Sequence, residues 1–247
     1  MVWLADARAP DDLRIYAIGD IHGCLSDLEA IHNQIEQDLL RRPPKDWRVV
    51  HVGDYVDRGP DSKATLQYLM GLCQHDPHVV CLLGNHDKMF ADGLSGAGDR
   101  LHTWLMHGGE ETLASYGLSR DDFERRLLHD RDFDDAVPRA HIDFLRSLPT
   151  SAALGDYFFV HAGIDPNRSL DDQDPETLIW IRGPFLDDER EHPKIIVHGH
   201  TPVRQVDVLP NRIGIDTGAV FGRSLTCLVL DGDRKSILDG DEVRPLI

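Results

Sequence analysis

The sequence predicts an α/β fold in which a mixed β-sandwich is flanked by helices. The main observation is a short run of apolar and β-branched residues that ends in glycine or polar residues, a pattern that recurs along the chain. Such runs are typical of buried strands. The predicted strands are Leu13–Ile18, Arg48–Val52, Val79–Leu83, Tyr157–Val160, Lys194–Val197 and Arg212–Ile215.

Helical patterns separate the first three of these strands. Apolar residues from Leu28 to Leu39 recur at helical spacing, and Ser26 with Glu29 can form a capping box before them. Asp61 can cap a second helix. Because strands alternate with helices here, we expect βαβ units and a sheet that is at least partly parallel.

The C-terminal part of the chain has a different pattern. Its predicted strands lie near 213–217, 224–230 and 235–238, and short turn sequences connect the last of them. Short connections are typical of antiparallel strands. This part therefore predicts the antiparallel component of a mixed sheet or sandwich.

Residues 88–150 interrupt the alternation with four helical stretches, at about 99–106, 109–116, 120–129 and 138–147. Ser119 and Asp122 form another possible cap. We interpret this segment as a helical insertion in a single domain that spans 1–247. Two roles remain open for it: packing alone, or a wall of the substrate cleft.

Composition limits the classes of partner. The formal net charge is −17, which argues against binding nucleic acid through the general surface. The four cysteines are far apart without a CxxC pair, which indicates a reducing compartment. The N-terminus lacks the features of a signal peptide, and no apolar run has the ~20 residues of a membrane helix. We therefore expect a cytoplasmic protein that binds neither nucleic acid nor membrane.

Polar residues follow the predicted strands at their carboxyl ends, the edge where open α/β sheets bind ligands. Carboxylate, imidazole and amide groups together suit manganese, iron or zinc better than magnesium or calcium. A pair of divalent cations would use such a set. The candidate ligands are Asp20, His22, Asp54, Asn85, His161 and His200.

Several blocks around these residues resemble a known family. The segments 19–23 (GDIHG), 53–59 (GDYVDRG) and 84–87 (GNHD) resemble the three signature blocks of the phosphoprotein phosphatase superfamily, a group of calcineurin-like metallophosphoesterases. The later blocks at 161–163, 179–182, 198–202 and 215–222 resemble bacterial and bacteriophage serine/threonine protein phosphatases. The resemblance implies the four-layer α/β/β/α metallophosphoesterase fold.

The resemblance also implies two metal sites that share one carboxylate. Asp20, His22 and Asp54 would hold the first metal ion. Asp54 would bridge to the second ion, which Asn85, His161 and His200 would also bind. We expect two divalent ions, with Mn²⁺ as the first choice and iron, zinc or cobalt as alternatives. A hydroxide bridging them would attack phosphorus directly.

Four further residues are candidates for the catalytic groups. Arg58 and Arg182 would bind the substrate phosphate, because a guanidinium can donate two parallel hydrogen bonds. His86, with Asp57 as its partner, would act as the general acid. The residues expected to contact the substrate phosphate are Arg58, Asn85, His86 and Arg182.

The predicted function is a metal-dependent phosphomonoesterase of the serine/threonine protein phosphatase type, acting on a phosphorylated protein or a small phosphoester. One alternative is a hydrolase of dinucleoside polyphosphates that resembles the symmetrical diadenosine tetraphosphatases. That substrate needs a longer cationic groove and stacking aromatics, and aromatic residues make up only 7% of the chain. The other alternative is a non-catalytic scaffold, which we disfavour because no expected ligand or phosphate-binding arginine is missing.

Overall fold

Two mixed β-sheets form the centre of the molecule in a computed structural model, which describes residues 1–93, 102–128 and 136–246. The first sheet has the strand order β11-β10-β9-β1-β2-β3, and the second has β4-β5-β6-β8-β7. The strands of the first sheet are β1 (Leu13–Ile18), β2 (Asp46–His51), β3 (Val79–Cys81), β9 (Cys227–Asp231), β10 (Arg234–Asp239) and β11 (Glu242–Pro245). Those of the second are β4 (Ser151–Leu154), β5 (Tyr157–Val160), β6 (Ile195–His198), β7 (Asp207–Leu209) and β8 (Arg212–Gly214).

Each sheet has a parallel centre with antiparallel strands outside it. In the first sheet β1, β2 and β3 are parallel, whereas β9, β10 and β11 add antiparallel strands. In the second sheet β5, β6 and β8 are parallel, and β4 and β7 are the antiparallel edges. The parallel strands of both sheets therefore end at two edges where ligands commonly bind.

Helices connect the parallel strands and cover the sheets. The helices α1 (Leu25–Arg41) and α2 (Ser62–His75) follow β1 and β2, and α3 (Asn85–Gly93) follows β3. None of the helices in the described ranges is long and apolar enough to cross a membrane. The remaining α-helices described are Glu110–Ser115, Arg120–Leu128, Arg139–Ser147, Pro175–Trp180 and Gly183–Leu186.

Three apolar layers hold these elements together. Alternate residues of β1 point in opposite directions: Ile15 and Ala17 pack between the two sheets, whereas Tyr16 and Ile18 pack under the helices of the first sheet. A smaller cluster that includes Phe185 covers the outer face of the second sheet. The predicted α/β fold, a mixed sandwich flanked by helices, is confirmed.

Of three predicted helix caps, the structure shows one and differs at two. The capping box of Ser26 and Glu29 is absent, because α1 begins at Leu25 and its N-cap Cys24 makes no side-chain capping bond. The N-cap of α2 is Asp61, but its side chain makes no capping bond either. The cap of Ser119 is confirmed: its hydroxyl accepts from the Asp122 backbone at 3.1 Å.

The C-terminal strands were only partly predicted. β9 and β10 are antiparallel as expected, but β8 pairs parallel with β6 in the other sheet. Its antiparallel contact is with β7, which the sequence pattern did not predict. β4, β7 and β11 have only three or four residues each, too few for a periodic pattern to stand out.

Candidate active site

The polar residues predicted from the strand ends lie where the two sheets meet. The loops after β1, β2 and β3 and those after β5, β6 and β8 converge there. All six candidate ligands are buried, with side chains no more than 6% exposed. This burial of charged and polar groups is unusual for a surface loop and is typical of a binding site.

One group of donor atoms surrounds the Asp54 carboxylate on the side of the second sheet. Asp54 Oδ2 lies 3.4 Å from His161 Nε2. Asn85 Oδ1 lies 2.9 Å from His161 Nε2 and 2.9 Å from His200 Nδ1. Asp54, His161 and His200 offer atoms within 4.8 Å of one another, close enough to bind one metal ion. Asn85 adds an amide oxygen to this group.

A second group lies on the other side of Asp54. Its Oδ2 is 3.5 Å from His22 Nε2, and His22, Asp54 and His86 also offer atoms within 4.8 Å of one another. This geometric group contains His86, which we had expected to be an acid, and does not contain Asp20. Arg58 donates to His22 Nε2 at 2.6 Å and to His86 Nε2 at 2.9 Å.

Backbone carbonyls orient two of these histidines. His22 Nδ1 donates to the carbonyl of Val56 at 2.7 Å, and His161 Nδ1 donates to that of Val52 at 3.0 Å. In both rings Nε2 is therefore the atom that faces Asp54. Metal-binding histidines are commonly held by this kind of hydrogen bond through the other ring nitrogen.

Asp20 lies beside a third buried carboxylate, Asp216, at the end of the strand run that continues from β8. Both oxygens of Asp20 accept from the His200 backbone, at 3.2 and 3.1 Å. Burial and the charge of Asp216 raise the pKa of Asp20 well above its ordinary value. Burial also raises the pKa of Asp216, with a further contribution from Asp54. Asp216 was not predicted as a site residue, although it stands in the recognised block 215–222.

The pKa values around Asp54 indicate that the buried carboxylates need positive charge nearby. Burial opposes ionisation of Asp54, but His161, His86 and His22 together lower the pKa of its carboxyl well below the usual range. Burial alone would lower the pKa of His161, yet Asp54 and Asp20 raise it to about 9. Three buried carboxylates thus depend on nearby positive charge. Divalent cations would supply that charge, and the oxygen and nitrogen donors fit them.

The other two histidines are neutral at physiological pH. Burial lowers the pKa of His22 to about 3. Burial and the facing His161 lower that of His200 to about 3. Only the neutral ring can bind a metal ion, so these two side chains need not lose a proton when they do so.

The backbone of the site is strained. A non-glycine residue with positive φ is uncommon, and such strain collects at functional sites. Outside the site, Asp12 is the one other case in the described ranges. The site residues in this conformation are His22, Asp54, Asp57, Arg58 and His200.

A fully buried carboxylate, Asp87, fixes the loops after β2 and β3. It accepts from the backbone nitrogens of Asp54 at 2.9 Å, Tyr55 at 2.9 Å and Gly84 at 3.0 Å. These hydrogen bonds fix the backbone at and beside the candidate ligands Asp54 and Asn85. Asp87 stands in the recognised block 84–87 but was not predicted as a site residue, because a residue that only supports ligands has no ligand spacing of its own.

Two arginines and two exposed aromatic rings line the mouth of the site. Arg182 Nε donates to His200 Nε2 at 3.0 Å, and the Trp180 ring lies 6.3 Å from the His200 ring. On the opposite side, Arg58 lies over the Phe221 ring at 5.9 Å from its centroid. Trp180 is 40% exposed and Phe221 is 59% exposed.

The described part of the insertion reaches the site. The backbone nitrogen of Arg58 donates to the carbonyl of Gly108 at 3.0 Å. Trp104 Nε1 donates to Asp57 at 2.9 Å, so residues 102–116 contact the candidate catalytic groups. Parts of two predicted insertion helices, 99–101 of the first and 129 of the third, lie outside the described residues. His198, for which no ligand role was expected, packs edge-on against Phe185 and joins neither metal-binding group.

Comparisons with known proteins show a family and a shared fold. A family model described as calcineurin-like phosphoesterase matches residues 13–227. A protein of Anoxybacillus flavithermus named bis(5'-nucleosyl)-tetraphosphatase PrpE (asymmetrical) is 29% identical over 228 residues, 85% of this chain and 88% of that protein. The protein of the same name from Oceanobacillus iheyensis is 26% identical over 234 residues, 87% of each chain. A cold-active protein-tyrosine phosphatase of a Shewanella species shares the fold, with a TM-score of 0.65 and 20% identity, covering 97% of this chain and 83% of that one.

Proposed function

The chain belongs to the calcineurin-like phosphoesterase family, and from this premise we propose that it is a two-metal hydrolase of dinucleoside polyphosphates. This reverses the order of the two enzymatic hypotheses that the sequence supported. The names of the curated relatives favour the change. The observation on this chain that carries it is the pair of exposed aromatic rings beside the candidate metal centre.

The rings lie at opposite ends of the cluster of donors. Trp180 is next to His200, in the group that also contains His161, whereas Phe221 is next to Arg58, which donates to His22 in the other group. Base stacking on an aromatic side chain contributes about 1–3 kcal/mol per base. A polyphosphate across the two arginines would place a nucleobase near each ring. The low aromatic content of the chain therefore does not argue against this substrate, because the rings are placed where it needs them.

We propose that Asp20, His22 and Asp54 bind the first ion, and that Asp54, Asn85, His161 and His200 bind the second. Manganese is our first choice, with iron, zinc and cobalt as alternatives. The ions, when bound, would supply water of lowered pKa as the nucleophile and neutralise the buried carboxylates.

The remaining site residues act on the substrate directly. Arg58 and Arg182 donate to phosphate oxygens and stabilise negative charge that develops during hydrolysis. His86 delivers a proton to the leaving oxygen through Nε2, because its Nδ1 is held by Asp57 Oδ2 at 2.7 Å. The amide of Asn85 orients the same phosphate.

A specific observation keeps a second function in view. An Asp57–His86 pair is most useful when the leaving group is a basic alkoxide, as in a phosphoserine or phosphothreonine. A nucleotide leaves through a weakly basic phosphate and needs less proton donation. The phosphomonoesterase of the serine/threonine protein phosphatase type is therefore the second candidate.

Steady-state kinetics with manganese separate the two functions. We expect kcat/KM for diadenosine tetraphosphate to exceed that for a phosphothreonine peptide. Products identify the bond that is cleaved, since ATP with AMP indicates asymmetrical cleavage and two ADP indicate symmetrical cleavage. A higher kcat/KM on the phosphopeptide would reject the dinucleoside polyphosphate proposal and favour the second candidate.

Variants test the aromatic rings. Trp180→Leu and Phe221→Leu should each raise KM for diadenosine tetraphosphate about tenfold, the loss of one stacked base. Both should leave KM for p-nitrophenyl phosphate near the wild-type value. Leu40→Ala is a control, because Leu40 is a large apolar side chain that is even more exposed (70%) and lies near the end of α1.

A further inference from the structure

The Asp57 carboxylate is surrounded by donors that come from the insertion. Asp57 is fully buried. Its Oδ1 accepts from Trp104 Nε1 at 2.9 Å and from Thr112 Oγ1 at 2.7 Å. Its Oδ2 accepts from His86 Nδ1 at 2.7 Å and, at 3.0 Å, from the same indole nitrogen of Trp104. Two donors of the insertion thus fix the plane of the carboxylate that orients His86.

The same residues also fix the Asp57 backbone. Thr112 Oγ1 accepts from the Asp57 nitrogen at 2.8 Å, so one hydroxyl binds both ends of the residue. Ser62 Oγ, at the start of α2, accepts from that nitrogen at 3.0 Å. Asp57 has a φ of +74°, a conformation that needs such support.

Close packing holds the Trp104 indole in place. The ring is fully buried and lies 5.3 Å from the Phe90 ring and 6.0 Å from the Phe123 ring. A Cβ at Gly109 would approach the indole to 2.5 Å, so only glycine allows the ring this position. This packing restricts the indole to a position in which its N–H is directed at Asp57.

We infer that Trp104 and Thr112 are positioning residues, which act on His86 through Asp57. The inference rests on the proposed function, in which His86 protonates the leaving group. Without the indole N–H, the buried carboxylate loses a donor and can turn, and His86 turns with it. The described part of the insertion therefore positions a catalytic group in addition to packing against the domain.

The test uses the dependence of rate on the leaving group. Trp104→Phe removes the N–H and keeps a ring in the cavity, and Thr112→Val removes the hydroxyl. With manganese present, each variant should lower kcat for phenyl phosphate about tenfold more than kcat for p-nitrophenyl phosphate, whose weakly basic leaving group needs little protonation. KM and metal content should stay at wild-type values.

Matched controls use the same chemical changes elsewhere in the chain. Trp47→Phe changes a partly buried indole that stacks on His78. Thr65→Val changes a buried threonine of α2 whose hydroxyl has no hydrogen-bond partner among the residues that the structure describes. Both should keep the wild-type ratio of kcat values for the two substrates.

The outcomes separate this inference from the proposed function. Equal losses on both substrates in Thr112→Val, with melting temperature preserved, would overturn the positioning role, and so would unchanged kcat values. If Trp104→Phe does not fold, Thr112→Val alone decides. A wild-type protein that hydrolyses neither ester nor diadenosine tetraphosphate with any divalent metal would instead reject the proposed function.

Discussion

Asp54 has two tasks in the site, one for each carboxylate oxygen. Oδ1 accepts from the His86 backbone at 2.9 Å, and Oδ2 faces both His22 and His161. Asn keeps an oxygen for the backbone bond but removes the negative charge between the proposed ions. We therefore expect Asp54→Asn to lower kcat by about 100-fold or more and to reduce the bound metal. Kinetics and elemental analysis measure the two effects, and near wild-type turnover would contradict the two-metal proposal.

His86 contacts both a metal-binding group and the Asp57 carboxylate. By distance it belongs to the group of His22 and Asp54, yet its Nδ1 is bound by Asp57. If His86 is the acid, His86→Asn should lower kcat by about 100-fold and leave the metal content of the protein at two ions. His161→Asn is the comparison, because it removes a proposed ligand and should lose metal. A loss of metal in His86→Asn would assign His86 to the first metal site.

The interface between α1 and β2 predicts how stability changes with pH. His32 of α1 and His51 of β2 stack with ring centroids 5.2 Å apart. Burial lowers the pKa of His32 to about 4 and that of His51 well below its ordinary value. The unfolded chain binds protons at these histidines below a pH of about 6.5, while the folded chain keeps them neutral. Stability should therefore fall as pH falls from about 6.5 toward 4.

Replacement of one ring tests this directly. Between pH 6.5 and pH 4 the free energy of unfolding should decrease in both proteins. The decrease should be about 2 kcal/mol smaller in His32→Gln than in the wild type. Urea denaturation of the metal-free protein at several pH values measures the difference. His75→Gln, at the exposed end of α2, is the control and should keep the wild-type slope. Identical slopes in all three proteins would show that the pair does not titrate on unfolding.

Among the helices and strands, sequence patterns predicted the long and buried elements best. β1 was predicted with its observed bounds, because every position from Arg14 to Ile18 is buried and the run stands out. The capping box at Ser26 failed because capping is decided by backbone geometry: the chain already enters α1 at Leu25 after the turn at Gly23. The sheet to which β8 belongs depends on packing between distant segments, which local periodicity does not encode.

For the whole molecule, the sequence located the donors but not their supports. The six candidate ligands converge because each follows a parallel strand at its carboxyl end, and these ends of the two sheets lie together. The sequence did not predict roles for Asp87, Trp104 and Thr112, because each acts through a neighbouring residue. Their hydrogen bonds span 33, 47 and 55 residues of sequence, and nothing in the spacing indicates them. The stacking role proposed for Trp180 and Phe221 likewise depends on the positions of two exposed rings in the fold, which amino-acid composition does not indicate.

The buried carboxylates make the stability of the molecule depend on cations. Burial raises the pKa of both Asp20 and Asp216 in the metal-free protein, and the charges of neighbouring carboxylates, Asp54 among them, raise it further. An ion that binds only the folded state stabilises it by about 2.7 kcal/mol at a concentration 100 times Kd. For a chain of this length that corresponds to a rise in Tm of about 5–10 °C. Differential scanning calorimetry with and without manganese should show it.

The Asp54→Asn variant is the control for that rise. It keeps the backbone bond of Asp54 to His86 and removes the charge shared by the two proposed sites, so manganese should raise its Tm by much less. Calcium should also stabilise the wild type less than manganese, because imidazole nitrogens make up much of the ligand set. An equal rise in Asp54→Asn would mean that the ions bind elsewhere on this acidic surface, and the site would then have to bind its substrate without them.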